Sequence, residues 1–327
     1  MMQKDSTLQF WNDFYHDTDK PCEWIVQPDR TLFQLLCERL QKQYHQDKDS
    51  IATTIHNNND QDTSHHRHHH FRILELGCGT STLSRDFLAY LQEDEASKFF
   101  ENVSIWATDV SPLCIQQNQA RDGHIPQLHY AVLNAAIAYS PQDSKQSSDS
   151  AEDVLSQQPF DFIFDKGTLD TLLFRSRSRG GSEEIPEIVA QYLQNIHAWL
   201  QPTSGVYASI TPRSKIKAYR DFPGFRTVER ISCRNIPLGT LEGDKKKKDA
   251  QSWIHWGRRD DCFDPTLFEL QRQQVAQLDE VPADDAICER CLLCFRDFRR
   301  GQHVEHKKAK AWNREWTGHL RHCQGSQ

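Results

Sequence analysis

The segment Ile73–Ser81 contains the feature that most constrains the fold of this chain. Four residues, Ile73 to Leu76, read as a buried strand that carries an acid, and a turn with glycine at positions 77 and 79 follows at once. Glycine lacks a Cβ, so its backbone allows a ligand to approach closely. A helix that starts after such a turn presents free N–H groups at the carboxyl end of the strand, where open α/β sheets bind ligands. The segment therefore predicts a strand, loop and helix around a nucleotide pocket.

Further segments along the chain extend this strand into a sheet. Four of them read as additional strands, and the first of these ends in Asp109, where an acid can accept hydrogen bonds from ribose hydroxyls. A helix is expected before the last of these strands, and an antiparallel hairpin after it. The predicted strands are Val103–Asp109, Leu128–Asn134, Phe160–Asp165 and Gly205–Ile210, the helix is Glu183–Leu200, and the hairpin strands are Phe225–Arg234 and Gln251–Arg259.

This order of elements, with the loop at residues 75–79, resembles the class I S-adenosylmethionine (SAM) methyltransferases. The resemblance implies an α/β fold with a seven-stranded, mostly parallel Rossmann-like sheet and flanking helices. A dinucleotide-dependent dehydrogenase fits less well, because Thr82 stands where its fingerprint has a third glycine. The methyltransferase loop itself often has a third glycine at the position of Ser81, so the chain departs from that pattern too.

The same resemblance implies a set of cofactor-binding residues. Glu75 would hold the methionine end of SAM, Asp109 would accept the ribose hydroxyls, and Asn134 would lie near the adenine. The floor of the pocket would be formed by the loop, and the neighbour of Asp109 would complete it. The residues implied in these two roles are Gly77, Cys78 and Gly79 in the loop, and Val110 beside Asp109.

Two further motifs resemble a narrower branch, the methyltransferase-like proteins that modify protein lysines, including those that act on translation elongation factor 1A. One is the hexapeptide Asp165–Asp170, and the other is the aromatic N-terminus, Phe10–Tyr15 followed by Glu23 and Trp24. The resemblance implies that Asp165 lies beside the transferable methyl and orients the acceptor amine, with Asp170 as the second candidate. It also implies that this aromatic lead-in, Trp24 included, packs over the cofactor pocket.

The C-terminal residues resemble a ββα zinc finger. Cys291 and Cys294 are separated by two residues, and His319 and Cys323 are spaced to lie on one face of a helix. Four N or S ligands of this kind form a structural zinc site. The 24 residues between Cys294 and His319 are about twice the standard gap, so an insertion at 299–313 is expected. The alternative ligands are Cys288, His303, His306 and His322.

Charge and composition divide the chain further. Residues 288–323 carry nine Lys or Arg against four acids, whereas the whole chain has a net charge of −7, so this module suits RNA phosphates or an acidic protein surface. No apolar run is long enough to span a membrane, and no secretory signal is present, so ten cysteines indicate thiols or metal ligands in a cytoplasmic or nuclear protein.

The predicted organisation has five parts. An aromatic lead-in and helix (1–45) precede a polar, His- and Asn-rich insert (46–70) that is too polar to fold. A SAM-binding domain (71–259), an acidic connector (260–287) and the zinc-finger-like module (288–327) follow. The sequence favours a protein-lysine methyltransferase, with a translation factor as one candidate substrate. The alternatives are an RNA methyltransferase, for example one acting on tRNA, and a non-catalytic adaptor that does not bind SAM.

Overall fold

The computed structural model describes ten segments of the 327 residues, which hold seven strands and eight helices. The segments are 4–16, 21–23, 25–55, 70–93, 100, 102–137, 159–177, 185–233, 236–237 and 251–276. The strands are β1 (Phe71–Leu76), β2 (Val103–Asp109), β3 (Leu128–Val132), β4 (Phe162–Lys166), β5 (Val206–Thr211), β6 (Phe225–Ser232) and β7 (Trp253–Arg259). The helices are α1 (Lys4–His16), α2 (Arg30–Ile55), α3 (Leu83–Leu91), α4 (Pro112–Asp122), α5 (Thr168–Arg177), α6 (Glu187–Trp199), α7 (Lys217–Asp221) and α8 (Pro265–Ala276).

The seven strands form one sheet in the order β3-β2-β1-β4-β5-β7-β6. Strands β1 to β5 are parallel, and β7 pairs antiparallel with both β5 and β6. This confirms the α/β fold with a seven-stranded, mostly parallel sheet. Leu76, the last residue of β1, pairs with Thr108 on one side and with Asp165 on the other. The loops that follow β1, β2 and β4 therefore leave the sheet at one edge.

Apolar side chains cover both faces of the sheet. On one face, Phe87 of α3 packs against Phe33 of α2 and Phe164 of β4, with ring centroids 5.4 and 6.2 Å apart. On the other face, Tyr207 of β5 packs against Tyr219 of α7 with centroids 5.1 Å apart. Because the central strands are buried on both faces, they read in the sequence as continuous apolar runs rather than as an alternating pattern.

Two helix boundaries differ from the sequence-based prediction. Helix α2 continues to Ile55, ten residues into the insert that was expected not to fold. Residues 46–55 contain neither glycine nor proline, so no residue there forces the helix to end. Helix α6 begins at Glu187 rather than near residue 183, because Pro186 adopts an extended backbone at the N-cap position. Within the described segments, none of the helices combines the length and apolarity that a membrane crossing needs.

The chain divides into two compact units, Met1–Phe263 and Asp264–Gln327. In the second unit, helix α8 belongs to the part that the structure describes. The predicted zinc ligands Cys291, Cys294, His319 and Cys323 lie outside the described residues, as does Trp24. The same holds for residues 56–69 of the first polar insert and for the His-rich tract within it.

Candidate active site

The loop after β1 depends on two glycines in a left-handed backbone conformation. Gly77 has φ +68° and Gly79 has φ +55°, values that residues with a side chain rarely adopt. A Cβ on Gly77 would lie 2.0 Å from Oγ1 of Thr168, the first residue of α5. That hydroxyl donates to the carbonyl of Leu76 at 2.8 Å, and the N–H of Cys78 donates to the carbonyl of Thr108 at 2.8 Å. The loop is therefore fixed between the ends of β2 and β4.

Asp109 ends β2 beside this loop, and its carboxylate is buried. It accepts hydrogen bonds from the N–H groups of Gly79 at 3.0 Å and Ser111 at 2.9 Å, and also from the N–H of Val110 and the hydroxyl of Tyr15. Burial raises the pKa of Asp109, and these donors oppose that rise. The structure thus brings Asp109 and the glycine loop together.

Glu75 lies next to the loop and has one oxygen without a partner. Its side chain is buried; Oε2 accepts a hydrogen bond from the Ser84 hydroxyl, whereas Oε1 has no hydrogen-bond partner among the described residues. Burial raises the pKa of Glu75 to about 7, although the Ser84 hydroxyl and the charge of Lys166 act in the opposite direction. An unpaired buried oxygen is costly. The arrangement therefore favours a ligand that brings a hydrogen-bond donor, above all a cationic one.

Glu75 should make stability depend on pH. Between its ordinary pKa of 4.5 and the folded value of about 7, the folded protein holds a proton that the unfolded chain releases. Stability should therefore fall as the pH rises through this window, by on the order of 3 kcal/mol, and level off above it. In Glu75→Gln this contribution is absent. Urea unfolding of both proteins from pH 5 to pH 8 measures the difference, and parallel curves would contradict the assignment.

A buried ion pair, which the sequence analysis did not assign to the site, covers the start of α3. Lys166 Nζ lies 2.6 Å from Oε2 of Glu23, and the two side chains are 5% and 9% exposed. The Glu23 carboxylate also accepts hydrogen bonds from the Ser81 hydroxyl at 2.8 Å and from the N–H of Thr82 at 2.9 Å. Glu23 thus holds Thr82, the N-cap residue of α3, from a distant part of the chain. It ties the N-terminal segment to the glycine loop.

Tyr15 is a second residue whose place in the site the sequence did not predict individually. Its hydroxyl would lie 3.2 Å from a Cβ on Gly79, so it stands directly over the loop. Its ring stacks on Trp11, with centroids 5.8 Å apart. The signal was present in the sequence, because Trp11 and Tyr15 are four residues apart and share one face of a helix. The aromatic N-terminus therefore covers the predicted pocket, with α1 as its scaffold.

Asn134 follows β3 at the same edge of the sheet as Asp109. The N–H of Leu133, its neighbour, donates to the carbonyl of Asp109 at 2.9 Å. The Asn134 side chain is exposed, and its Oδ1 accepts a hydrogen bond from the N–H of Ala136 at 3.1 Å. Its NH₂ group is directed away from that bond and can face a ligand.

The Asp165 carboxylate is engaged in hydrogen bonds within the protein. Asp165 is fully buried, and its register places it on the sheet face opposite to Glu75. Its carboxylate accepts hydrogen bonds from the Tyr207 hydroxyl and, at 3.2 Å, from the N–H of Leu169. Burial raises the pKa of Asp165 to about 6. Its contacts are those of a positioning residue that fixes the start of α5.

Asp170, in the first turn of α5, has a largely buried carboxylate. One of its oxygens forms an ion pair with Arg213, which follows β5. The other, Oδ2, has no hydrogen-bond partner among the described residues. An orphaned carboxylate oxygen that is held in place by an arginine suits a ligand with an N–H group.

Comparison with known proteins adds a sequence relationship to this geometry. Residues 49–163 match the model of a family described as "Putative S-adenosyl-L-methionine-dependent methyltransferase". The chain is also 30% identical over 153 residues to EEF1A lysine methyltransferase 4 of Mus musculus. The resemblance to the SAM-dependent methyltransferases is confirmed. The aligned region is 45% of this chain and 49% of the mouse protein, so the chain spans about half of the length of that relative.

Solved structures of methyltransferases are similar as well. The N-methyltransferase NodS from Bradyrhizobium japonicum WM9 aligns with 58% of this chain and 86% of its own, at 14% identity and a TM-score of 0.36. Magnesium protoporphyrin IX methyltransferase from Synechocystis PCC 6803 aligns with 80% of this chain and 98% of its own, at 11% identity and a TM-score of 0.39.

Proposed function

We propose that this chain is a SAM-dependent methyltransferase that methylates lysine side chains of a protein. The observation that carries the cofactor assignment is the unpaired, buried Oε1 of Glu75 beside two left-handed glycines. A ligand that carries an ammonium group satisfies that oxygen, and a backbone without Cβ atoms leaves room for the ligand. The family match over residues 49–163 includes this loop and Asp109.

The residues present fit SAM at both of its ends. Glu75 would accept a hydrogen bond from the cofactor's ammonium, and Asp109 would accept from the ribose hydroxyls in place of the Tyr15 hydroxyl. Asn134 is exposed at the adjacent strand end, where the adenine is expected. The bound cofactor supplies an electrophilic methyl on a sulfonium. The protein would hold it through the loop residues Gly77, Cys78 and Gly79, with Val110 and Trp24 at the sides of the pocket.

A lysine acceptor needs an orienting carboxylate and a neutral amine. The unpaired Oδ2 of Asp170 is our candidate for orienting the amine, and Asp165 supports it by fixing the start of the same helix. A nearby carboxylate raises the pKa of the amine, whereas removal of water on binding favours the neutral form. The mouse relative's name supports a protein substrate, with elongation factor 1A as the first to test.

Removal of the Asp109 carboxylate tests whether this residue binds the cofactor. In Asp109→Ala we expect the affinity for SAM to fall at least tenfold, or about 1.4 kcal/mol, because the ribose hydroxyls lose their acceptor. Isothermal titration measures this directly. The matched control is Asp221→Ala, which removes an exposed carboxylate that pairs with Arg220 in α7. Equal SAM affinity in both variants would contradict the assignment of Asp109.

Zinc remains a second proposal for the C-terminal module. The quartet Cys291, Cys294, His319 and Cys323 is proposed from the sequence pattern alone. Metal analysis of the purified protein and of Cys291→Ser tests it, with the loss of one zinc equivalent as the expected result. Retained zinc in the variant would shift the assignment to the alternative ligands.

A further inference from the structure

Three metal-ligating atoms meet in the interior directly behind the glycine loop. The sulfurs of Cys78 and Cys114 and a carboxylate oxygen of Asp109 all lie within 4.8 Å of one another, and all three side chains are buried. We propose that these residues form a binding site for a thiophilic divalent cation such as zinc, and that an occupied site weakens cofactor binding. The second part rests on the proposed function, and the first part does not.

Rigid elements hold the three ligands. Cys78 lies between the two left-handed glycines, and Asp109 is fixed by the N–H groups of Gly79 and Ser111. Cys114 is in the first turn of α4, where its N–H donates to the hydroxyl of Ser111, the N-cap residue. Three ligands on fixed backbone require little ordering when a cation binds. Tetrahedral zinc with Zn–S bonds of about 2.3 Å places two sulfurs about 3.8 Å apart. The side chains of Cys78 and Cys114 already form a hydrogen bond with each other, so their sulfurs face one another before a cation binds.

A fully buried amide lies against both sulfurs. The Nδ2 of Asn118 is 3.6 Å from the sulfur of Cys78 and 3.7 Å from that of Cys114, and it donates to the carbonyl of Gly79 at 2.7 Å. Its Oδ1 is buried and has no hydrogen-bond partner among the described residues. Metal centres characteristically have outer hydrogen-bond donors of this kind, which orient the ligands and stabilise thiolates. The orphaned oxygen is the second observation that indicates a missing ligand here.

The charge balance favours a divalent cation. Coordination forms two metal–sulfur bonds and one metal–oxygen bond, and the two thiols release their protons to solvent. Two positive charges replace two protons, so the net charge of the buried cluster does not change. Two thiolates with a carboxylate select zinc or cadmium over magnesium and calcium, which prefer sites made of oxygen atoms.

Occupation of this site should conflict with SAM. Asp109 would be shared between the cation and the ribose hydroxyls, and Cys78 belongs to the loop that would form the pocket floor. Coupling of two ligands through shared groups is reciprocal, so each should weaken the other by the same factor. We expect that factor to be at least tenfold.

Cadmium titration of the full chain tests the site. Metal is first removed with a chelator under a reductant that does not bind metals, and thiolate-to-cadmium absorbance is followed for wild type, Cys114→Ser and Cys233→Ser. Cys233 is a buried cysteine of the same unit outside the cluster, so its variant is the matched control. We expect Cys114→Ser to bind one equivalent fewer than the other two proteins. The cysteines outside the cluster are present in both wild type and Cys114→Ser, so the cadmium that they bind cancels when the two stoichiometries are compared. Equal stoichiometry in wild type and Cys114→Ser would overturn the site.

Two further measurements test the metal site and its competition with SAM separately, and the first of them does not depend on the correct folding of a variant. In wild type alone, cadmium should protect Cys78 and Cys114, but not Cys233, from alkylation, which is mapped by mass spectrometry. If Cys78 and Cys114 are not selectively protected, the site is overturned without the use of any variant. In cadmium-saturated wild type, the SAM affinity should fall at least tenfold, whereas cadmium should leave the SAM affinity of Cys114→Ser unchanged; the same response in both proteins overturns the competition. If the metal-free protein does not bind SAM, the proposed function fails while the cadmium difference still decides the metal site.

Discussion

Gly77→Ala is expected to abolish measurable SAM binding and to destabilise the protein by roughly 3 kcal/mol. A side chain at φ +68° is strained by about 1–3 kcal/mol. The new Cβ would also stand 2.0 Å from Oγ1 of Thr168, which must break its bond to Leu76 or move the start of α5. Insertion of a methyl group into such a contact costs a further 1–3 kcal/mol or so. Urea unfolding and isothermal titration with SAM measure the two effects.

Gly79→Ala is the matched control for this prediction. Gly79 has a similar backbone conformation, but a Cβ there would lie 3.2 Å from the hydroxyl of Tyr15, which is a tight contact rather than an overlap. The Gly79 variant should therefore lose only the backbone contribution. If the two variants lose the same stability, the contact between Gly77 and Thr168 does not fix the loop.

The buried pair of Glu23 and Lys166 should produce the second large effect. Glu23→Ala leaves the Lys166 ammonium buried without its carboxylate, and breaking such a pair typically costs about 3–5 kcal/mol. The same change removes the acceptor of Ser81 and Thr82 at the start of α3. We expect a loss of about 3 kcal/mol in urea unfolding, together with weaker SAM binding because the glycine loop loses its cover.

A double-mutant cycle separates the energy of the Glu23–Lys166 ion pair from that of the hydrogen bonds that Glu23 accepts from Ser81 and Thr82. Once Lys166→Met has removed the charge, Glu23→Ala should cost much less, and the difference is the coupling energy of the pair. The exposed pair Arg220 and Asp221 provides the control, since water screens a surface pair and leaves it only weakly coupled. Additive costs for Glu23→Ala and Lys166→Met would contradict a buried, coupled pair.

The parts of the fold that were predictable from the sequence are those with short-range causes. The strand β2 was placed at the bounds that the structure shows, and the glycine loop with Asp109 beside it follows from where two neighbouring strands end. The prediction from composition that residues 46–55 would not fold was wrong, because a polar segment can still continue a helix that is anchored at its start.

Long-range contacts account for what the sequence could not provide. Glu23 and Lys166 are 143 residues apart, and no local pattern reports that their side chains meet. The hydrogen bond between Asp165 and Tyr207 follows from the sheet face that they share, which depends on the register between β4 and β5. Tertiary packing, which the motif does not report, decides that Asp170 has an oxygen without a hydrogen-bond partner among the described residues while Asp165 is enclosed.

The most direct test is methyl transfer from radiolabelled SAM to recombinant elongation factor 1A and, in parallel, to total RNA. Wild type and Asp109→Ala are compared, and the labelled product is hydrolysed and separated by chromatography. The account predicts that wild type labels the protein as methyl-lysine and that Asp109→Ala, assayed at a SAM concentration well below the wild-type Kd, does so at least tenfold more slowly. Label that enters RNA and not protein would contradict the proposed lysine specificity, and a well-folded wild type that does not bind SAM would contradict the proposed function as a whole.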